Sequence, residues 1–408
     1  MKKSKILRIL AAATATVCLC GVFFSLGENS TPAPASAVTP RTEAEFSSDK
    51  AKSALHLCAV ASYPETLQAK LSELGYQNFR YYCREQEGTQ GSGIAFGIAT
   101  QKGETHTRVT AVFRGTNKCE WYSNFSIGEE SEHAGFSAAT DFALEKLQEY
   151  LREFHIEEET AEMLVSGHSR GGAAANLLAQ RLADKGDFRQ ICAYTFASPC
   201  TTTSRDAKNP RYNSIFNILN PEDFICYIPP RSWGYTRYGI DLEFPKEDAE
   251  NFPELYEMMQ KYFYVSAGFE HMGYEGHHRD VEDFLRAVTQ IAPTVQDYYR
   301  KEIPLQPQSV TLSEYMAKAA ALLSGVDTIS NGMFLISGSN SPLLRPLTEF
   351  MMQGVDLEKI AESHDMKGSA IYCGHTYETY EGWLRTLPES YFADAVSRAR
   401  NSAPNSLD

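Results

Sequence analysis

The segment Gly167-His168-Ser169-Arg170-Gly171 has the spacing G-x-S-x-G, which can present a serine hydroxyl as a nucleophile. The short apolar stretch Met163-Leu164-Val165-Ser166 precedes it, and an alanine-rich helix former, 172–179, follows. A strand, a sharp turn and a helix in that order make a nucleophile elbow. The turn is tight, so residues beside the serine must be small, and Gly167, Gly171 and Gly172 meet that need. The hydroxyl then stands above a helix N-terminus, whose dipole favours a developing negative charge. A packing turn with an incidental serine has the same local pattern. Chemistry therefore requires three further groups: a base, a carboxylate to orient it, and donors for an oxyanion.

The candidate carboxylate is Asp223, in the segment 220–230 that follows the apolar strand 214–219. That position lies at the sheet edge where the elbow opens. Glu222 is its neighbouring alternative, and a loop aspartate that caps a turn is the plainer reading. The candidate oxyanion segment is Phe113-Arg114-Gly115-Thr116, which ends a strand ahead of the elbow. Its glycine lets backbone approach the reacting centre, so the amides of Thr116 and Arg170 are the expected donors. For the base, His271, His277, His364 and His375 are available. His375 is preferred, because the residues after it form an apolar helix that can pack on a sheet and hold the ring. His277-His278-Arg279-Asp280 reads instead as a solvated helix start, and His277 and His364 remain the alternatives.

These groups need a scaffold. Helix is expected over 51–74, strands over 79–82, 92–99 and 107–113, and helix over 136–154, where apolar residues recur at helical spacing. The elbow strand and helix come next, then buried strands over 191–196 and 214–219. Strands alternating with helices imply a largely parallel sheet covered on both faces, an α/β fold. After Pro230 the chain is rich in Tyr, Phe and Met. Helical stretches are expected near 253–264, 280–291, 312–323 and 343–353. The division is therefore a leader over 1–37, a linker over 38–50, a core over 51–230, a mostly helical insertion over 231–365 and a return to the core over 366–408. The insertion is a candidate lid over an acyl site, although a helical subdomain core has the same composition.

At 408 residues and 43% hydrophobic, the chain is long enough for a sizeable core. Its net charge of −14 argues against nucleic acid and against electrostatic docking on anionic lipid. Lys2, Lys3 and Lys5 precede a mostly apolar run over 6–26, and Ala35-Ser36-Ala37 has the small-residue pattern of a cleavage site. Export is the expectation, with an uncleaved membrane anchor as the rival. Beyond the leader, Cys58, Cys83, Cys119, Cys192, Cys200, Cys226 and Cys373 form an odd set. Cys58 with Cys83, or Cys192 with Cys200, could bridge in an oxidising compartment, and buried thiols fit equally. No spacing suits a zinc site, and no metal or organic cofactor is expected.

Several separated motifs together resemble the class 3 lipase family, which includes the fungal triacylglycerol lipases. Phe113-Arg114-Gly115-Thr116 with Trp121 and Asn124 is similar to its F-R-G-[ST] and D-W-x-x-N segments, with Glu120 where Asp is usual. His133-Ala134-Gly135-Phe136 is similar to H-x-G-F, and the elbow to G-H-S-x-G-[GA]. Thr195-Phe196-Ala197-Ser198-Pro199 resembles T-F-G-[SA]-P, with Ala197 for Gly. The segment 220–230 resembles N-x-x-D-x-V-P-x-L-P-P, with Cys226 for the first proline. The run from His375 to Leu384 resembles the segment of the triad histidine. The resemblance implies an α/β-hydrolase fold, carboxylic ester hydrolysis, a triad of Ser169, Asp223 and His375, and a supporting role for His168 in the turn. The expected partner is a lipid or other ester with an apolar acyl group, with association at a lipid interface in view and no oligomeric state implied. An acyltransferase with the same acyl-enzyme, and a catalytically inactive lipid-binding surface module, are the alternatives.

Overall fold

The computed structural model describes residues 43–87, 91–117, 120–268, 270–271, 281–282, 285–286, 289–290, 292–305, 308–314 and 373–402. The leader and the stretch 315–372 lie outside the described residues, as do Cys119, His277 and His364.

The described chain opens with α1 (Ser48–Val60) and α2 (Pro64–Glu73), where a single helix over 51–74 is the sequence expectation. Pro64 explains the break. It sits at the first position of α2, and Tyr63 before it is extended at φ −121°, ψ 94°. A residue preceding proline is pushed out of helical geometry, so α1 cannot run through.

Three strands follow, β1 (Gln77–Arg84), β2 (Ile94–Lys102) and β3 (Thr107–Phe113). They pair antiparallel, β1 with β2 and β2 with β3. The chain then crosses through α3 (Trp121–Asn124) and α4 (Ala134–Glu153) to β4 (Ala161–His168). From there it runs through α5 (Arg170–Lys185), β5 (Gln190–Phe196), β6 (Ile215–Leu219) and β7 (Ile240–Glu243). From β3 to β7 every pair is parallel, and the order in the sheet is the order in the chain. This mostly parallel sheet with helices on both faces is an α/β-hydrolase fold. The strand β7 lies beyond Pro230, in a stretch that reads as mostly helical. It is only four residues long, too short for its alternation to stand out.

The alternation along each strand separates two cores. Val109, Ala111 and Phe113 of β3 pack with Phe136, Ala143 and Leu147 of α4 and with Ala174, Leu177 and Leu178 of α5. Val112 faces the other way, toward Leu55 and Cys58 of α1. That second face is also covered by α6 (Phe252–Ala267) and by the C-terminal helices. Between them come the short α7 (Val295–Arg300) and the hairpin β8 (Glu302–Leu305) with β9 (Gln308–Thr311). The C-terminal helices are α8 (Tyr377–Thr386) and α9 (Glu389–Ser402). Tyr380, Trp383 and Leu384 of α8, Phe392 of α9, and Met259 and Phe263 of α6 are all buried there. The Glu389 carboxylate accepts the Ser48 N–H at 2.9 Å, which ties the start of α1 to α9.

Cys58, Cys83, Cys192, Cys200, Cys226 and Cys373 form no disulfide among the described residues, and all but Cys83 are buried. Among the described residues, no helix is long and apolar enough to cross a membrane.

Candidate active site

Parallel strands deliver their C-terminal ends to one edge of the sheet, and four of those ends meet here. The end of β4 runs into Ser169, which has φ 57° and ψ −130° before α5 begins. Backbone crowding explains the glycines around it. A Cβ on Gly167 would stand 2.1 Å from the Gly171 carbonyl oxygen, and one on Gly171 would stand 2.5 Å from that of Arg114. Neither gap admits a side chain, so the elbow closes only with glycine at both places. The Ser169 N–H donates to the Phe196 carbonyl at 2.9 Å, which locks the turn to β5. Such backbone strain persists only where surrounding structure over-determines it.

His375 Nε2 lies 3.0 Å from Ser169 Oγ, and its Nδ1 lies 2.7 Å from Asp223 Oδ2. Ser169 is 8% exposed, His375 5% and Asp223 1%. A carboxylate only accepts, so Nδ1 carries the proton toward Asp223, and Nε2 is left to accept from the serine hydroxyl. Asp223 follows β6 and heads a short 3-10 turn, Phe224–Tyr227. Its Oδ1 accepts the Ile225 N–H at 3.0 Å, while Oδ2 also accepts the Tyr380 hydroxyl at 2.9 Å and the Cys226 thiol at 3.6 Å.

The histidine turn is bolted to its surroundings. The His375 carbonyl accepts from His168 Nε2 at 2.9 Å. Burial holds the His168 ring well below its ordinary pKa, so it is neutral and donates through Nε2. Asn220 Nδ2 donates to the Gly374 carbonyl at 2.8 Å, joining the aspartate loop to the histidine turn. The Thr376 and Thr379 hydroxyls both donate to the Cys373 carbonyl, at 3.0 and 2.6 Å. Ser169, Asp223 and His375 come together in this way. Tyr380 escapes a reading of the sequence, because its contact to Asp223 joins a C-terminal helix to a loop far away in the chain, whereas Cys226 lies on the same short turn as Asp223. Its place five residues after His375, on an apolar helix, is the one local signal for Tyr380.

Thr116 lies beside the elbow. A Cβ on the preceding Gly115 would be 3.9 Å from Ser169 Cβ and 3.6 Å from the His168 carbonyl oxygen, ordinary contact distances. The Arg170 amide heads α5, where first-turn N–H groups lack intrahelical acceptors. Gly115 thus lies against the elbow one residue before Thr116, and Arg170 directly follows the serine.

The other candidates lie elsewhere. His271 is buried against Thr379 Oγ1 at 3.1 Å and Tyr256 at 3.4 Å. Glu222 turns from the triad toward the Tyr256 hydroxyl at 3.3 Å. Burial raises its carboxyl pKa to about 7, with Glu247 adding to the rise and the Tyr256 hydrogen bond opposing it. A raised acid binds a proton in the folded chain that the unfolded chain has already released. Stability from this group is therefore full below about pH 4.5 and falls as pH rises to about 7. Glu222→Gln should remove that slope, which is worth about 3 kcal/mol across the window. Urea unfolding at pH 5 and pH 7.5 checks it, and an unchanged slope in the variant contradicts it.

Ala197, at the end of β5, has φ 51° where the resembling family carries glycine. Left-handed backbone costs an L-residue about 1–2 kcal/mol, and glycine's extra unfolded-state freedom takes back about 0.4–1 kcal/mol. Ala197→Gly should stabilise the fold by about 0.5 kcal/mol, seen as a higher urea midpoint at constant m-value. A lower midpoint would show that this position is not strained.

Among the described residues, no group of three or more His, Cys, Asp or Glu side chains stands where it could hold a metal ion.

Residues 102–233 match the family model described as Lipase (class 3). Solved structures with similarity to the chain include a Rhizomucor miehei lipase propeptide complex. It is 16% identical, with 50% of this chain and 70% of that chain covered and a TM-score of 0.36. Lipase II from Rhizopus niveus is 16% identical, with 48% and 80% covered and a TM-score of 0.38. A mutant form of MDLA from Penicillium cyclopium is 18% identical, with 50% and 81% covered and a TM-score of 0.38. No curated protein matches the chain. The matched segment 102–233 contains the elbow, the aspartate loop and the strands between them, so this part of the chain is similar to class 3 lipases.

Proposed function

We propose that the protein is a serine carboxylic ester hydrolase that works through an acyl-enzyme on Ser169. One observation carries this reading: an unbroken line of contacts from Ser169 Oγ through His375 to Asp223. Ser169 Oγ attacks the ester carbonyl carbon while His375 Nε2 takes the hydroxyl proton. The amides of Thr116 and Arg170 hold the oxyanion. When the tetrahedral centre collapses, the bond to the alcohol oxygen breaks and Nε2–H protonates the leaving alkoxide. Water then gives a proton to Nε2 and attacks the acyl carbon. The bond to Oγ breaks, the acid leaves and Ser169 recovers its proton. Asp223 keeps His375 in the required tautomer and stabilises the imidazolium.

An apolar acyl group fits the reading. Phe224, beside Asp223, packs with Val281 and with the partly buried Ile225, Ile228 and Leu285, which gives the neighbourhood of the aspartate an apolar wall. The charged and then apolar leader supports an extracytoplasmic setting.

The test is a stopped-flow reaction with p-nitrophenyl esters of increasing acyl length. A burst of p-nitrophenol equal to the enzyme concentration supports the acyl-enzyme. Product analysis with added alcohol separates water from an alcohol as the second acceptor. Absence of turnover across the whole ester series would remove the proposal.

A further inference from the structure

We propose that Arg170 is a positioning residue whose buried guanidinium clamps the oxyanion loop to the head of the nucleophile helix. The clamp rests on the active-site reading above and concerns how its two oxyanion donors are held together.

The residue after the nucleophile is asked only for a backbone amide. Its side chain is free to be anything that fits, and a hydrophobe would fill space under a helix without electrostatic penalty. Here it is an arginine, 4% exposed, running back beneath the loop between β3 and α3. Nη1 donates to Asn124 Oδ1 at 2.6 Å, and Asn124 Nδ2 donates to Thr116 Oγ1 at 3.0 Å. Nη2 donates to Ser92 Oγ at 2.5 Å and to the Gly93 carbonyl at 2.7 Å. Nε lies 3.8 Å from Glu120 Oε2. The same oxygen accepts the Asn117 N–H at 2.7 Å, and Glu120 Oε1 accepts Arg114 Nη2 at 2.6 Å. Arg114 and Asn117, on either side of the Gly115-Thr116 pair, are thus linked to the residue that follows Ser169 through the Glu120 carboxylate, and the Thr116 side chain is linked to it through two hydrogen bonds by way of Asn124.

Donor chemistry gives the chain of contacts a direction. A guanidinium only donates, so the Asn124 amide must turn its oxygen toward Arg170 and its nitrogen toward Thr116. The arginine thereby fixes the Asn124 flip, and Asn124 fixes the Thr116 rotamer. Burial lowers the Arg170 pKa to about 10 and Glu120 opposes the fall, so the group stays charged near neutrality. Burying a charge is a poor route to stability, because desolvation offsets most of the attraction. A fixed, directional link between two donors is what a buried arginine supplies and a hydrophobe cannot. Donors for a developing oxyanion must be held in place before the reaction, and a misplacement of about 1 Å can cost about 10²-fold in rate.

The experiment uses the full chain with Arg170→Met, Asn124→Ala and the double variant, all of which keep the backbone amides. Turnover of a p-nitrophenyl ester, labelling by a fluorophosphonate probe and thermal melting are measured for each. Each single change should lower kcat by about 10–100-fold and leave KM within about two-fold, because the lost alignment matters only as the oxyanion forms. The double variant should be no slower than the worse single variant, since both break one link. Arg170→Met leaves Glu120 buried with one partner fewer, so it is expected to be the less stable of the two single variants. Asn124→Ala leaves the Arg170, Glu120 and Arg114 contacts in place, so it decides the matter if the first variant fails to melt cooperatively. A folded Asn124→Ala enzyme with kcat within about two-fold of the parent overturns the clamp, and so do losses that multiply in the double variant. A parent protein that neither labels nor turns over ester overturns the active-site reading and the clamp with it, an outcome distinct from a working parent with indifferent variants.

Discussion

Ser169→Ala is expected to lower ester turnover by about 10⁶-fold while the protein melts as the parent does. The size follows from what is removed. His375 Nε2, 3.0 Å away, loses the hydroxyl it contacts, so attack must wait for a water that nothing has positioned. Oxyanion donors and binding alone leave roughly 10³–10⁴-fold over the uncatalysed reaction. The fold should not notice. Alanine has the same Cβ at φ 57°, and the Ser169 N–H that holds the turn to Phe196 belongs to the backbone. Steady-state hydrolysis of a chromogenic ester beside a melting curve is the check. Undiminished turnover would remove the serine from the chemistry.

Asp223→Asn is expected to lower kcat by about 10⁴-fold at neutral pH with little change in KM. The four donors around this carboxylate make the substitution severe. Oδ2 accepts from His375 Nδ1, the Tyr380 hydroxyl and the Cys226 thiol, and Oδ1 accepts the Ile225 N–H. An asparagine must put its NH₂ on one side or the other. Facing Oδ2's partners, it forces His375 to present a lone pair at Nδ1, which places the proton at Nε2 and blocks acceptance from Ser169. Facing Ile225, it sets donor against donor beside the turn that carries the residue. The first arrangement is the less crowded, because one backbone N–H cannot rotate away and a hydroxyl and a thiol can. Kinetics with a thermal-stability control test this. A loss under about tenfold in a folded variant would mean that the carboxylate charge does little.

Much of this site was legible because its signals are local. A glycine-framed serine between an apolar strand and an alanine-rich helix points to the elbow without any knowledge of the rest of the chain. Asp223 after an apolar strand, and His375 before an apolar helix, are placed by the elements that carry them. Pro64 was also in view, and its effect on Tyr63 is the reason the first helix divides in two. Other features have no local signature. The strand β7 is four residues long. Tyr380 reaches Asp223 across 157 residues and meets the Cys226 thiol at the same carboxylate oxygen, and the Cys226 position carries proline in the resembling family. The burial of the Arg170 side chain has no local sign, because Ser92, Gly93 and Asn124 supply its acceptors and Glu120 its counter-charge from segments 46 to 78 residues away. Periodicity reports which face of an element is buried. It does not report which polar groups converge once faces meet.

The central claim is that Ser169 is the nucleophile, and the most direct measurement is the intact mass of the protein after reaction with a fluorophosphonate, followed by peptide mapping. The expected result is a single adduct on Ser169. A folded protein that gains no adduct, or gains it on another residue, would contradict the account.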